Sequence, residues 1–284
     1  MVKAPEEILS GALRANEFDP DIFHSFQEIG NVYRCVTIED SWLKDRVTPG
    51  ILYISELHAK LFDRVPTYYK KGLLPLPPGT FRREDIYLSS QPPNFYSRGL
   101  DVSPLMDEYA RELDKIIESL PRSPLDKIED IIHQGAWSYY VFERIHPFLD
   151  GNGRIGRMIL RRILRGTGLK DIIFSAASTP KGSKRSEEER NKHLDAMSRV
   201  SSTGNLAHLE LYIARQLLKV YPNSGENKGV VAELQGLIDK KTMEVETQTA
   251  RLPLEKIWPK FGDIDIHGSE DDLKTPAETS SISN

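Results

Sequence analysis

The sequence predicts an all-α protein that carries one small β-hairpin. Apolar residues recur every three to four positions along most of the chain, which is the spacing of a helix that buries one face. Prolines and glycines divide these stretches into segments of helix length. Only one short segment, "DIYLSS" at residues 85–90, has the composition of a strand, and turn-forming residues surround it. The pattern therefore does not favour an α/β enzyme.

The first helices are predicted in the N-terminal third of the chain. Residues 1–50 have a mixed pattern that we interpret as an N-terminal helical extension. Residues 48–65, "TPGILYISELHAKLFDRV", have apolar side chains at helical spacing. The predicted inner face of this helix comprises Leu52, Ile54, Leu57 and Leu61. The turn-rich segment that follows contains the strand-like residues, so we place a hairpin at about residues 84–98.

Two long helices and a glycine-rich turn follow the hairpin. Residues 103–120 begin with Ser103 as the predicted N-cap and end before a proline. Residues 123–145 carry one apolar stripe, and this helix should end near His146, because a residue before proline disfavours helical geometry. After the turn, residues 154–169 form the next predicted helix. Its predicted inner face comprises Ile155, Ile159 and Ile163.

Three more helices are predicted in the C-terminal third of the chain. They begin near Ser186, Asn205 and Val230, and polar or glycine-containing segments separate them. The end of the chain has too few apolar side chains to fold. The predicted organisation is an N-terminal helical extension (1–50), a helical core that carries the hairpin (51–221), a C-terminal helical extension (222–260) and a disordered tail (261–284).

Composition limits the classes of function. The 284-residue chain is 39% hydrophobic and 28% charged, as in ordinary soluble globular proteins. The net charge of -4 argues against general affinity for nucleic acid. The only cysteine, Cys35, excludes an intramolecular disulfide and a zinc site built from several cysteines.

No segment indicates a secreted or membrane protein. The N-terminus has no apolar run long enough for a signal peptide, and no later stretch has the length needed to cross a bilayer. We therefore expect a cytoplasmic protein without a membrane partner. Export that uses no cleavable signal stays compatible with this expectation.

The segment "RIHPFLDGNGRIGRMILRR" at residues 144–162 carries the chemical signal. One helix ends there, the chain turns, and a new helix begins, so the first N–H groups of the new helix lack intrahelical acceptors. These N–H groups and the helix dipole suit a phosphate, and the turn Gly151–Gly153 lets it approach the backbone closely. Arg154 and Arg157 share one face of the helix and can bind further phosphate oxygens, which favours a polyphosphate.

Two side chains of the same segment are suited to catalysis. Bound phosphate would repel Asp150 unless a cation lay between them, and Mg²⁺ prefers one or two carboxylates plus phosphate oxygens. His146 titrates near neutral pH and could act as a general base on a hydroxyl that attacks the α-phosphorus of a magnesium nucleotide. Phe148, between them, should anchor the loop in the core.

Each of these residues alone has an ordinary explanation. A histidine before a proline or an Asp-Gly pair is usually part of a turn, and paired arginines on a helix usually face solvent. Their combination in one order and spacing favours the functional interpretation. Three arginines farther along the helix extend its basic character, and we expect surface positions for them. They are Arg161, Arg162 and Arg165.

The string "HPFLDGNGRIGR" at residues 146–157 resembles the signature of the Fic family, His-x-Phe-x-(Asp/Glu)-Gly-Asn-Gly-Arg-x-x-Arg, at every fixed position. The resemblance extends to the preceding helix, "HQGAWSYYVFERI", and to "PPGTFRREDIYLSS", which is similar to the segment that leads to the family's hairpin, or flap. It covers about residues 50–220. It implies a Fic-type helical core with a small β-hairpin flap.

The resemblance also implies transfer of a nucleoside monophosphate, usually AMP from ATP, to a Ser, Thr or Tyr hydroxyl of a target protein, with auto-modification. His146 would be the base, Asp150 the Mg²⁺ ligand and Phe148 the anchor. The residues implied to bind the nucleotide phosphates are Gly151, Asn152, Gly153, Arg154 and Arg157. The flap would hold a segment of the target by strand-like pairing. Because the related Doc branch carries lysine at the position of Gly153, the chain resembles the nucleotidyl-transfer branch.

Two features depart from the family pattern. Where many Fic proteins have a pair of tyrosines, this chain has "NKHLDAM", and we expect His193 to lie at the surface. No segment matches the inhibitory pattern (Ser/Thr)-x-x-x-Glu-(Gly/Asn), whose glutamate pairs with the second motif arginine. The nearest candidates for an inhibitory glutamate are Glu28 and Glu246, and an exposed position is the simpler explanation for each.

Three functions stay open at this stage. The first is a magnesium-dependent protein adenylyltransferase whose partners are ATP and a target protein. The second is removal of AMP from a modified target, which normally needs the inhibitory glutamate. The third is a non-catalytic Fic-fold module that binds other proteins. A homodimer is compatible with all three, and the sequence identifies neither the target nor the transferred nucleotide.

Overall fold

The computed structural model describes residues 30–41, 50–65, 76–86, 97–121, 123–125, 127–172, 184–222 and 225–261. Within these ranges the protein is helical and contains no strand, which confirms the all-α prediction. The eight helices of this part of the chain are α1 (30–41), α2 (Gly50–Leu61), α3 (Val102–Ser119), α4 (Ile128–Ile145), α5 (Asn152–Gly166), α6 (Lys184–Thr203), α7 (Ala207–Val220) and α8 (Lys228–Thr247). Most of the predicted hairpin, at residues 87–96, lies outside the described residues.

The helices α4 and α5 form the centre of the fold. They pack against each other more extensively than any other pair of described elements. Gly135 permits this approach, because a Cβ at that position would lie 2.7 Å from Leu160 Cδ1. The apolar stripe predicted for α4 is buried. The predicted inner face of α5 is buried as well, since Ile155, Ile159 and Ile163 are at most 1% exposed.

Two sequence predictions for α2 and α3 need correction. Leu52 is 81% exposed, because it lies two residues before Ile54 and therefore on the opposite side of α2. The other three predicted inner residues of α2 are buried. In α3 the N-cap is Asp101 and not Ser103, because a 3-10 turn at Gly99–Asp101 leads directly into the helix. The predicted end of α3 is confirmed, with Leu120 as its C-cap.

Helix α1 covers one side of α5 through buried polar groups. Glu39 is fully buried, is hydrogen bonded to the Tyr53 hydroxyl and lies 3.3 Å from Arg161 Nη1. Burial raises the pKa of Glu39 to about 7. The Arg162 guanidinium is 1% exposed and lies 4.8 Å from the centroid of the Tyr53 ring. The expected surface positions of Arg161 and Arg162 are therefore wrong, because Arg161 pairs with Glu39 and Asp40 of α1 and Arg162 lies against Tyr53 of α2.

The segment after α8 packs onto the core. Trp137 Nε1 donates to the Ile257 carbonyl at 2.8 Å, and Leu252 N donates to the Thr203 carbonyl at 2.7 Å. Phe261 is 2% exposed, so the packed structure includes the first residue of the predicted tail. The rest of that tail lies outside the described residues. None of the described helices combines the length and hydropathy needed to span a bilayer.

A buried ion network joins α8 to α4 and α7. Glu210 is 2% exposed; its Oε2 lies 2.6 Å from Lys241 Nζ, and its Oε1 lies 2.5 Å from His133 Nδ1. Although burial acts in the opposite direction, hydrogen bonds from His133 and Lys241 lower the pKa of Glu210 below its usual value. Glu210 is therefore a carboxylate at neutral pH, and it holds the C-terminal helix on the core.

Removal of this carboxylate tests the network. We expect Glu210→Ala to lower the free energy of unfolding by about 3 kcal/mol, because Lys241 would keep a buried charge without its nearest partner. The double variant Glu210→Leu/Lys241→Met should recover most of the loss, because it removes both charges. Urea denaturation followed by circular dichroism measures both variants. Equal losses in the two variants would contradict the role of the ion pair.

Candidate active site

The candidate site is built on the loop between α4 and α5. The first helix ends at Ile145, as predicted, and His146 is its C-cap with φ 51° and ψ 61°. The His146 N–H group donates to the Phe142 carbonyl at 2.9 Å. A histidine in the left-handed region is uncommon, and residues held in such conformations cluster at functional sites. The backbone thus turns sharply at the residue predicted to be the base.

Contacts of the Nδ1 atom with Glu143 hold the His146 ring in one orientation. Its side chain is 15% exposed, and Nδ1 lies 3.3 Å from the Glu143 carbonyl oxygen and 3.7 Å from Glu143 Oε2. Because a carbonyl oxygen only accepts, Nδ1 carries the hydrogen and Nε2 is the basic nitrogen. Burial lowers the pKa of His146 to about 4. The ring is therefore neutral at neutral pH, as a general base must be.

Phe148 anchors the loop, as predicted. It is fully buried, and its ring stacks on His58 with centroids 3.8 Å apart and also contacts Phe81 and Phe142. The side chain of Asn152 holds its backbone: Oδ1 accepts from Phe148 N at 2.9 Å, and Nδ2 donates to Phe148 O at 2.7 Å. The Asn152 side chain thus closes the loop from within, and only its main-chain N–H group can serve a phosphate.

His58, which the sequence analysis did not single out, supports the loop from α2. Its ring is fully buried, and burial lowers its pKa to about 4. Gly79 N donates to Nδ1 at 2.7 Å, so Nε2 carries the hydrogen and donates to the Asp150 carbonyl at 3.0 Å. His58 lies one turn after Ile54 and one turn before Leu61, so helical spacing alone could have predicted that it faces the core from α2.

The start of α5 offers main-chain donors. Gly151 has φ 82°, and a Cβ there would lie 2.5 Å from Phe62 Cε2, so only glycine fits. Its carbonyl accepts from the N–H groups of Arg154 and Ile155, both at 3.0 Å. Within the described part of the chain, the N–H groups of residues 152 and 153 make no hydrogen bond. These two donors are the ones available to an anion.

Both predicted arginines lie beside this helix start. The Arg154 guanidinium lies over the Phe62 ring, 4.7 Å from its centroid, and 3.8 Å from Asp150 Oδ1. Arg157 folds back toward the turn, and its Nη1 would lie only 3.2 Å from a Cβ at Gly153. The structure therefore brings two cations and two main-chain donors to one place. That arrangement suits several phosphate oxygens at once.

Asp150 is the carboxylate at the mouth of the loop. Its side chain is 30% exposed, and Oδ1 accepts from the Gly151 N–H group at 2.7 Å. Among the described residues, no group of three or more His, Cys, Asp or Glu side chains could enclose a metal ion. One carboxylate that faces a phosphate site fits Mg²⁺, which keeps waters and takes phosphate oxygens as ligands. It does not fit a metal that needs a full protein cage.

Arg82, also absent from the sequence predictions, ties the base of the hairpin segment to the loop. Its guanidinium is 1% exposed, and it donates to the carbonyls of His146, Ser97 and Glu84 at 2.7, 2.6 and 2.7 Å. It also donates to the Ile145 carbonyl at 3.0 Å. Both ends of the predicted hairpin are thus fixed to the residue predicted to be the base.

His193 is not a surface residue, contrary to the prediction. Its Nε2 lies 2.9 Å from the Tyr139 hydroxyl, and its ring contacts Tyr212. Burial, followed by the charge of Arg157, lowers its pKa to about 4. The polar sequence around His193 does not reveal that this turn of α6 packs against Tyr139 of α4 and Tyr212 of α7.

Of the two candidate inhibitory glutamates, only Glu246 lies within the described residues, and it makes no contact with the site. Glu246 is exposed near the end of α8. Glu28 lies outside the described residues. The acidic side chain that does lie beside the predicted base is Glu143, which the sequence analysis did not consider.

Comparison with known proteins gives a consistent family. Residues 51–164 match the model of the Fic/DOC family. A probable protein adenylyltransferase of Aquifex aeolicus is 30% identical over 146 residues, which cover 45% of this chain and 46% of that protein. The protein adenylyltransferase Fic of Drosophila yakuba is 26% identical over 172 residues, which cover 61% of this chain and 28% of that protein. The chain thus spans less than half the length of these curated relatives.

Solved structures share the fold. A Fic-domain-containing signalling protein from Bacteroides thetaiotaomicron has a TM-score of 0.54 at 15% identity, with 81% of this chain and 76% of that chain covered. A Fic protein from C. elegans has a TM-score of 0.53 at 17% identity, with 84% of this chain and 58% of that chain covered. At these identities the likeness is one of fold.

The closure of the loop by Asn152 can be tested with an isosteric change. Asn152→Asp replaces the Nδ2 donor by an oxygen that faces the Phe148 carbonyl in a buried place. We expect the free energy of unfolding to fall by about 2 kcal/mol. Urea denaturation provides the measurement, with Asn191→Asp on the exposed face of α6 as the matched control. A loss of equal size in the control would show that the added charge, not the lost donor, is responsible.

The role of Arg82 can be tested in the same way. Arg82→Lys keeps the charge but cannot reach four carbonyl groups, so we expect a loss of about 2 kcal/mol in the free energy of unfolding. Amide hydrogen exchange should also become faster at Arg82 and Ser97, whose N–H groups donate to the Pro147 and Arg144 carbonyls. The neighbouring exposed Arg83→Lys is the control. Unchanged exchange at both amides would argue against the connection.

Proposed function

Since residues 51–164 match the Fic/DOC family, we propose that the protein is a Mg²⁺-dependent protein adenylyltransferase. It would transfer AMP from ATP to a Ser, Thr or Tyr hydroxyl of target proteins, itself included. One observation carries the proposal. A neutral, oriented His146 lies on the same loop as a carboxylate, two main-chain donors and two arginines at a helix start. The names of the curated relatives point to the same reaction.

The phosphates of ATP would bind at the start of α5. The N–H groups of Asn152 and Gly153 would donate to phosphate oxygens, and Arg154 and Arg157 would bind the remaining ones. Asp150 would hold Mg²⁺ between its carboxylate and the phosphates, where the cation neutralises charge on the phosphate oxygens. Since the anion is bound by amides of a rigid helix start, the donors need little reorganisation during the reaction.

His146 then provides the base. Its Nε2 takes the proton from the attacking hydroxyl, the hydroxyl oxygen forms a bond to the α-phosphorus, and the bond from that phosphorus to the bridging oxygen of pyrophosphate breaks. The target hydroxyl would come from a segment paired with the flap at about residues 84–98. Arg82 would keep that segment in register with the base, because it binds carbonyls at both ends of the flap and at His146.

The base can be tested by intact-mass analysis. The protein is incubated with Mg²⁺ and each of the four nucleoside triphosphates in turn, and with labelled ATP in the presence of a cell lysate. We expect a mass increase of one AMP with ATP, and His146→Ala should reduce the labelling rate by about 100-fold or more. The control is His208→Ala on α7, a half-buried histidine away from the loop.

The outcomes separate the alternatives. Equal labelling by the wild type and His146→Ala would exclude His146 as the base. Labelling by another triphosphate would change the transferred group but keep the mechanism. If calorimetry shows that Mg-ATP binds but no protein is labelled, the transferase proposal fails. Release of AMP from a modified target would then favour the reverse reaction, and absence of both activities would favour a binding module.

A further inference from the structure

Glu143 is an acidic side chain next to the predicted base that the proposed reaction does not yet use. It lies in the last turn of α4, three residues before His146, and its side chain is 15% exposed. Its Oε2 lies 3.7 Å from His146 Nδ1. Its Oε1 is buried and has no hydrogen-bond partner within the described part of the chain. A buried carboxyl oxygen without a partner requires a reason, because desolvation of such a group is costly.

The neighbouring helix is shaped around this carboxyl group. Gly156 of α5 faces it, and a Cβ at this position would lie 2.8 Å from Glu143 Oε1 and 2.9 Å from Tyr139 Cε2. A Cβ at Gly153 would lie 3.7 Å from the same oxygen. The approach of α5 to this part of α4 therefore depends on glycine. Glu143 is enclosed by the helix that carries the phosphate-binding residues.

We propose that Glu143 is a positioning residue for His146: its main-chain carbonyl accepts Nδ1–H and orients the imidazole, and its carboxylate, 3.7 Å from Nδ1, stabilises the positive charge that the ring acquires when it takes the hydroxyl proton. This inference rests on the proposed function, since it concerns the base of that reaction. The carboxylate has the electrostatic role of the acid in an acid–histidine pair, since it stabilises the imidazolium without itself taking the proton. The tautomer is fixed by the main-chain carbonyl of the same residue.

The need for such a partner follows from the burial of His146. Burial disfavours the imidazolium and lowers the His146 pKa to about 4, which makes the ring a weak base. Burial raises the pKa of Glu143 to about 7, against the effect of Arg157. Glu143 is therefore ionised only when the pH exceeds about 7, where His146 is neutral. Above that pH Glu143 is negatively charged and His146 is neutral, and these are the charge states that proton transfer to His146 requires.

The other groups that face the pair do not replace this role. Tyr139 on α4 and Tyr109 on α3 lie near Glu143, and burial raises the pKa of both hydroxyls, so they stay neutral. Arg157 on α5 is the charged group that opposes the raised pKa of Glu143. Near His146 the charges are Arg82, which disfavours the imidazolium, and Asp150, which favours it. Among the acidic groups in the described ranges, Glu143 is the one within 4 Å of His146 Nδ1.

In the proposed step Glu143 keeps its negative charge and takes no proton. The O–H bond of the target breaks, and its proton moves to His146 Nε2. The oxygen forms a bond to the α-phosphorus, and pyrophosphate leaves with the electron pair of the broken bond. The proton on Nδ1 remains there, and the new positive charge of the ring strengthens the attraction between His146 and the Glu143 carboxylate. His146 later releases the extra proton to solvent or to pyrophosphate.

The rate of auto-labelling as a function of pH provides the first test. Wild-type single-turnover rates with Mg-ATP should rise with pH through an inflection near 7, the range in which Glu143 ionises. Glu143→Gln should lower the rate above pH 7 by about 10-fold or more and abolish the inflection, with Mg-ATP affinity unchanged by calorimetry. Glu143→Asp keeps a carboxylate, so it should keep the inflection at an intermediate rate. The exposed Glu118→Gln on α3 is the matched control.

A second measurement does not depend on activity. In an isotope-labelled sample, the ring resonance of His146, assigned by its loss in His146→Ala, should shift as Glu143 titrates near pH 7. The shift should disappear in Glu143→Gln and persist in Glu118→Gln. The inference would be overturned if Glu143→Gln kept the wild-type labelling rate, or if the pH-dependent shift of the His146 ring resonance were the same in Glu143→Gln as in the wild type. Absence of labelling by the wild type would refute the proposed function alone, since the resonance still reports whether the two side chains interact.

Discussion

The site depends on the way one asparagine side chain closes the loop between α4 and α5. Asn152 binds both the N–H and the carbonyl group of Phe148, and this fixes the length and shape of the turn. Phe148 is thereby held in the core, and the chain leaves α4 through a left-handed His146. The strained backbone of His146 persists because the surrounding contacts determine it fully. The positions of His146, of the Asp150 carboxylate and of the start of α5 all depend on this closed loop.

Buried imidazoles are a second feature of the site. His58 and His146 are both neutral at neutral pH because burial disfavours their charged forms. The hydrogen-bond partners set their tautomers differently: His58 accepts at Nδ1 and donates from Nε2, whereas His146 donates from Nδ1. The His58 ring therefore links the loop to Gly79 through two hydrogen bonds, whereas the His146 ring presents Nε2 as a basic nitrogen. The same residue type serves structure in one place and is available for chemistry in the other.

Local sequence patterns predicted much of the architecture. The helical periodicity identified the buried faces of α4 and α5, and the order of residues 146–157 identified the loop between them and the start of α5. What the pattern missed depends on contacts between residues far apart in the chain. Arg162 has the sequence context of a basic surface but is buried against Tyr53 of α2, and His193 is half-buried because α6 packs onto Tyr139. Periodicity reports which face is apolar, but it does not report which polar residues another element covers.

The position of α5 is controlled from both of its ends. Near its start, Gly153 and Gly156 let the helix approach Glu143, and near its end Arg161 is bound to Glu39 of α1. A helix held in this way cannot slide or rotate without breaking buried polar contacts at one end. Because buried polar groups are costly to leave unpaired, displacement of the helix is unfavourable. The groups at residues 152–157 that we propose for phosphate binding therefore belong to a rigid scaffold, and the elements outside the loop determine how accurately its main-chain donors would face an anion.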